Sequence, residues 1–516
     1  MALLDAYSGQ WTTAEAAHLL RRTTFSSNAQ QIAQAVSLGL PATMDELLKI
    51  LPAPGAPVDP TNGQPFVTGT IDLTGGNAGR YRAYIKAWWA DLMVTQAPSI
   101  TEKLALFWMN HFVVEATVVN HPQILFSYLD FMRSNALGNF RAMARRVTIE
   151  PAMLRYLNGN TNTKGNPNEN YARELQELFT IGKGPERASG DYTTYTEHDV
   201  REAARVLTGW RDARQTLTTV FNAAQHDATD KRFSAAYGNR VIKGRNGADA
   251  GNAELDDLIA MIFDQQATRY HIVRKLYRWF VDSDITPDVE QNVIVPLGDL
   301  LFSSNWNVEP VLRTLLSSNH FFSDDIRGAM LKSPADLVVG MLRSIGYRAP
   351  SDVQQRYAIG TSLANSMAAL QMDLCEPPGV AGYDATYQAP DYDRLWLNTA
   401  TLPLRNGATD AFIYGQRGRG GVFDSIAFVK TIPNASDAYA LVDAVVERFF
   451  AVPISAGMRT TLVIDVLQQG GRDYEWTQQW EEFTANEQQQ ANRLAVKTKL
   501  DLFFRYIFRM AEFQLL

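Results

Sequence analysis

Residues 164–182 read KGNPNENYARELQELFTIG, and the fold is decided by how this stretch is read. Asn166 is a helix N-cap type, and Pro167 suits the first helical position because its missing N–H would be unpaired there anyway. Glu169 stands where a capping-box carboxylate reaches back. Gly182 closes the segment, since glycine enters the left-handed conformation that ends a helix. Tyr171, Leu175, Leu178 and Phe179 follow at i, i+4, i+7 and i+8, one apolar face that must be buried. The spacing predicts a helix over 166–182. Its other face carries Asn170, Arg173, Glu174 and Glu177. That face is either solvated, with Arg173 and Glu177 as an i, i+4 pair, or a site. Lys164, Asn168 and Asn170 cluster at the helix start, where exposed N–H groups favour an anionic group.

The next segment outward, YTEHDVREAARVLTGW (195–210), repeats the pattern. Thr196 is the expected cap with Asp199 in the capping-box position. Val200, Ala203, Ala204 and Leu207 form the buried stripe, and Gly209 is the stop. Small Ala203 and Ala204 allow close approach to the central helix, so Arg201, Glu202 and Arg205 are expected to face Glu174 and Glu177. The stretch TLTTVF beyond Trp210 predicts a short hairpin. His226 and Asp227 follow on a loop. They offer a base with a carboxylate, or one metal ligand with an orienting group; alternatively Asp227 caps a turn and His226 is exposed.

Upstream, helical patterns cover 11–22, 28–51, 79–113 and 121–160, interrupted by the Pro/Gly-rich loop LPAPGAPVDPTNGQP. Downstream, 252–346 is helical and reads as architectural. From 371 a long loop, QMDLCEPPGVAGYDATYQAPDYDRLWLNTATLPLRN, presents Tyr383, Tyr387, Tyr392 and Trp396. Such aromatics either stack on a sugar or peptide or cover the core, and long ordered loops on a helical scaffold often carry sites. Cys375 in this loop reads as a buried residue before a proline turn. YGQRGRGG (414–421) lacks the GK[ST] ending and the preceding strand of a phosphate loop. The fold class is therefore mainly α: a large multi-helix assembly with one or two short β-hairpins and long ordered loops. A core over 1–410 centres on the helix 166–182, and a C-terminal helical region over 411–516 packs on it.

Composition narrows the function classes. The chain has 516 residues, 46% hydrophobic and 20% charged, enough to bury a large core. A formal net charge of −7 argues against a nucleic-acid surface, which normally shows a basic excess. The single cysteine makes no intramolecular disulfide and no Cys/His zinc spacing exists. No basic n-region precedes an apolar run, and no stretch of about 18 apolar residues offers a membrane span. As written, the sequence reads as cytoplasmic or as a trimmed mature form.

The central segment resembles the hallmark of a bacterial family catalogued as domain of unknown function 1800, close to KGxPNENYARELxELFTLG. TAEAAHLLRRTTFS, KLALFWMNHFVV, YTEHDVREAARVLTGW, RKLYRWFV, KSPADLVV, EPPGVAGY and WLNTATLPLRN look like its successive blocks, in order, and EFQLL like its close. The resemblance implies a large helical protein, often exported. It also matches His226 and Asp227 to the family's HD pair and Lys231 to its following lysine. This chain departs from the family where Met109 replaces a second histidine in FWMNHF and where Tyr383 replaces a tryptophan.

Two classes of function fit. One is a hydrolase-like enzyme acting on a small-molecule or polymer substrate. In it Glu174 and Glu177 are acid/base candidates, with Arg173, His226 and Asp227 in the catalytic set, and Lys164, Asn168, Asn170, Tyr383 and Trp396 bind substrate. A divalent cation is the candidate cofactor, with Glu174, Glu177 and His226 as its ligands. The other is a non-catalytic binding or scaffold protein with a protein partner, in which the charged helix face is a structural ion-pair network.

Overall fold

The helix Thr101–His111 forms the axis of packing, with every one of its residues buried. Its only stable surroundings are other helices, and it obtains them from Asn77–Thr95, Pro122–Ser134 and Thr13–Thr24. Even its charged residues are satisfied inside. Arg133 Nε donates to Glu102 Oε1 at 2.7 Å and Trp89 Nε1 to Glu102 Oε2 at 2.8 Å, while Lys103 pairs with Asp336. Removing one partner of such a buried pair strands the other charge, so these contacts fix how the helices register. Val353–Ala369 lies along Asn77–Thr95, and the two backbones meet closely at Gly360. A Cβ there would come within 2.2 Å of Ala87 O.

The computed structural model describes residues 3–213, 216–415 and 422–516. Among these the fold is mainly helical with three small two-stranded antiparallel sheets, where the sequence predicts one or two hairpins. Trp210–Ala213 pairs with Thr218–Phe221, the hairpin expected from TLTTVF. The others pair Glu186–Ala188 with Asp191–Tyr192 and Lys231–Arg232 with Val241–Ile242. Most of the glycine-rich YGQRGRGG, at residues 416–421, lies outside the described residues. One cluster of buried apolar side chains runs from Leu19 through Trp108 and Phe179 to Phe504 and Phe513. The last residues are pinned to the middle of the chain: Lys332 N donates to Gln514 O at 2.8 Å, and Arg405 Nη1 to Gln514 Oε1 at 2.9 Å. No helix among the described residues is long and apolar enough to cross a membrane.

The central segment starts later than its caps predict. Its α-helical turns span Asn170–Glu174 and continue as a π-helical turn over Leu175–Phe179. The cause is the amide-rich lead-in, whose side chains hold the backbone in turns that compete with helix. Asn162 Oδ1 accepts from Asn168 N at 2.9 Å, Asn168 Oδ1 accepts from Asn170 N at 3.0 Å, and Thr163 and Asn166 form an isolated bridge. Gly182 ends the segment as expected, at φ +75°, donating its N–H to Gln176 O at 2.9 Å. The capping box of Thr196 and Asp199 opens the neighbouring helix, Glu197–Val206, which packs beside the central one.

Candidate functional site

The polar face of the central helix divides into engaged and unengaged groups. Arg173 forms a two-point ion pair with Glu197, its Nη2 lying 2.7 Å from Oε2, and reaches Glu169 at 3.4 Å. The partner on the neighbouring helix is thus Glu197, whereas Glu202 and Arg205, expected to face Glu174 and Glu177, do not contact them. Glu202 instead turns to Arg205, whose Nε donates to Asp227 Oδ2 at 2.7 Å. Glu177 is paired with Lys183 and accepts from the Tyr195 hydroxyl at 2.9 Å.

Glu174 differs from all of these. It is half-buried, and among the described residues no cation or hydrogen-bond donor engages its carboxylate. Burial, followed by the negative charge of Glu177, pushes it up to about 7. On this side of the helix Tyr156 donates to Glu115 Oε1 at 3.0 Å, and burial with the charges of Glu115, Glu174 and Glu376 raises its phenol. Glu376 is itself raised by burial. At the helix start Lys164 and Asn170 are exposed and Asn168 is half-buried, its Oδ1 committed to the turn.

The His226–Asp227 loop faces another way. His226 is buried, and its Nδ1–H donates to Thr208 O at 2.9 Å. Its Nε2 lies 3.1 Å from Glu254 Oε1, off the line of a good hydrogen bond. Lys231 reaches the other oxygen of Glu254, so His226 and Lys231 flank one fully buried carboxylate. Burial opposes ionisation of Asp227, but Arg205 and the Thr229 hydroxyl and N–H hold it down to about 2. Backbone hydrogen bonds tie this region to the lead-in of the central segment: Lys164 N donates to Gln225 O at 2.8 Å and Gly209 N to Asn162 O at 3.0 Å. No hydrogen bond or ion pair joins His226 or Asp227 to Glu174 or Glu177. A divalent cation does not fit these donors, because Glu177 and His226 are directed at different partners. Among the described residues no three His, Cys, Asp or Glu side chains converge as a metal-binding set.

In the long loop, Tyr383 and Trp396 are buried with ring centroids 6.1 Å apart. The Tyr383 hydroxyl donates to Asp373 O at 2.5 Å, and its backbone N–H to Asn110 Oδ1 at 2.8 Å. Tyr387 is exposed.

One feature of the central segment was not legible from its side chains. The π-helical turn leaves the carbonyls of Leu178 and Phe179 without intrahelical donors, and two other helices supply them. His111 Nε2 donates to Phe179 O at 3.0 Å, His271 Nε2 to Leu178 O at 3.1 Å, and Lys275 Nζ approaches Leu178 O at 3.4 Å. Both imidazoles are pushed down by burial and by Lys275, His271 to about 3, so both are neutral. His111 and Lys275 also line a small cleft, partly open to solvent, with Arg278, Thr386, Tyr392 and Asp393. Sequence reasoning treated RKLYRWFV (274–281) as architecture. The available signal was Lys275 and Arg278 three residues apart on a helix whose other residues are largely aromatic and aliphatic.

A family model described as Protein of unknown function (DUF1800) matches residues 18–515. No curated protein and no solved structure matches the chain.

Proposed function

The chain belongs to the DUF1800 family, and on that premise we propose that it is a hydrolase-like enzyme whose proton-transfer group is Glu174. The observation that carries this reading is the contrast between two carboxylates three residues apart on one segment. Glu177 is engaged by Lys183 and Tyr195, whereas Glu174 makes no ion pair among the described residues and is pushed up to about 7 by burial and by Glu177, against the weaker pull of Arg173 and Lys183. Titratable neighbours whose environments drive them apart are how a site holds an acid and a carboxylate at one pH, and a group near neutrality is the effective proton carrier. In this reading Glu174 takes a proton from the attacking water and returns it to the leaving group. Lys164 and the exposed Asn170 at the segment's start hold an anionic or polar part of the substrate, a small molecule or a polymer.

The test is a survey of purified protein against chromogenic esters, phosphoesters, glycosides and peptides at several pH values. Turnover with a limb near pH 7, reduced about 100-fold or more in Glu174→Gln with folding intact, is the expected result. No turnover on any class, or turnover indifferent to Glu174→Gln, removes the proposal.

A second reading is favoured by the pairing of the other charges. Arg173 with Glu197, Glu177 with Lys183, Arg205 with Asp227 and Lys231 with Glu254 are the bonds of a structural network. Under that reading the protein is a scaffold that binds a protein partner, and Glu174 contributes nothing beyond its place on the helix.

A further inference from the structure

The cleft beside the end of the central segment is lined by three cations and by the carboxylates of Asp336 and Asp393. Lys103 is neutralised by Asp336, but the other two have no carboxylate partner among the described residues. Lys275 Nζ has only Leu178 O and His111 Nδ1, each at 3.4 Å. Arg278 uses Nε on Ser283 O at 3.3 Å and lays its guanidinium over the Tyr392 ring, 4.6 Å from the centroid, which leaves its terminal nitrogens without an acceptor among the described residues. Burial and Arg278 lower Lys275 to about 8, and burial lowers Arg278 despite the nearby charges of Glu290 and Asp284. By contrast, Arg274 on the same helix is fully paired with Glu290.

The cleft also holds unmet hydrogen-bonding capacity. Asp393 is buried, and its Oδ2 accepts from Leu331 N at 2.7 Å, but its Oδ1 has no partner. Phe107, Trp279 and Tyr392 supply apolar wall between the polar groups. Convergent polar groups in a partly apolar recess are the usual make-up of a small-molecule site. A second cation three residues along a helix would normally be paired or turned to water; here both face one recess.

We propose that this cleft binds a small molecule through a carboxylate or phosphate group held between Lys275 Nζ and the Arg278 guanidinium. A planar guanidinium offers two parallel donors to such a group and the ammonium a third, while Leu178 O and His111 keep the Lys275 chain directed into the recess. The KGNPNEN…ELFTIG segment then has a second role: its freed carbonyl positions a ligand-binding lysine. This inference is independent of the role given to Glu174.

The experiment uses the full chain and two probes, inorganic phosphate and acetate, each titrated against chloride at matched ionic strength, with thermal unfolding and calorimetry as readouts. Saturable binding of either probe, weakened about tenfold or more in Arg278→Gln, is expected. Preference for phosphate or for acetate then identifies the source of the anionic group. Lys275→Met is the companion variant. Because Lys275 also touches Leu178 O, Arg278→Gln decides the matter if Lys275→Met fails to fold. The absence of saturable binding by both probes, or binding unchanged in Arg278→Gln, overturns the proposal.

Discussion

Replacing Glu174 with Gln removes one ionisable group and leaves the shape of the side chain, so its effect on stability isolates the cost of ionising that carboxyl in place. In the folded chain Glu174 is raised from its ordinary 4.5 to about 7. Between those values the folded state binds more protons than the unfolded state, so stability falls as pH rises through this window. A displacement of that size corresponds to roughly 3 kcal/mol for a fully shielded group. Glu174 is only half-buried, and solvent screening brings the expected figure to about 1–2 kcal/mol. The assay is the urea midpoint of wild type and Glu174→Gln at a series of pH values. The difference between them should be flat below about pH 4.5, grow in favour of the variant as pH rises, and level off above about pH 7. A pH-independent difference would mean that folding does not displace this carboxyl, a variant less stable at high pH would mean that the carboxylate is paired and stabilising, and either result would refute the reasoning. The same curve reports the burial of Glu174 under both readings, so loss of turnover in Glu174→Gln is what separates the enzyme from the scaffold.

Three further outcomes follow from particular contacts. Glu254→Gln strips the carboxylate from between Lys231 and His226 in the interior, and leaving Lys231 buried should cost about 3–5 kcal/mol in urea unfolding; a loss below about 1 kcal/mol would mean that water reaches the cluster. Gly182→Ala forces a side chain onto a backbone at φ +75° and places its Cβ 2.5 Å from His271 Nδ1. It should lower stability by about 1–3 kcal/mol, and His271→Ala in the same chain should restore part of that. If His271→Ala restored none, the collision would not be the cause. Cys375 is buried, and burial pushes its thiol up to about 12. It should resist thiol reagents in the native chain and react fully in denaturant, whereas rapid native labelling would contradict its placement.

The sequence by itself determined the elements whose information is local. Capping boxes at Thr196 and Ser333, the left-handed stop at Gly182 and the apolar stripe of Tyr171, Leu175 and Phe179 depend on residues within a few positions of one another. They were legible because cap chemistry and helical periodicity are properties of short windows. The start of the central helix was not, because Asn162 and Asn168 hold it in turns that compete with the cap pattern at Asn166. The tertiary structure alone decided which charges meet. Arg173 could reach Glu169, Glu177 or a carboxylate on a neighbouring helix. The choice of Glu197 follows from how the two helices sit against each other, which neither segment specifies alone. The same holds for His226, whose adjacency to Asp227 suggested a shared task while the fold turns one to Glu254 and the other to Arg205. It holds most strongly for Lys275 and Arg278. A counter-ion, or the lack of one, is a property of everything within a few ångströms, and those neighbours include Leu178, His111 and Tyr392 from segments distant in the chain.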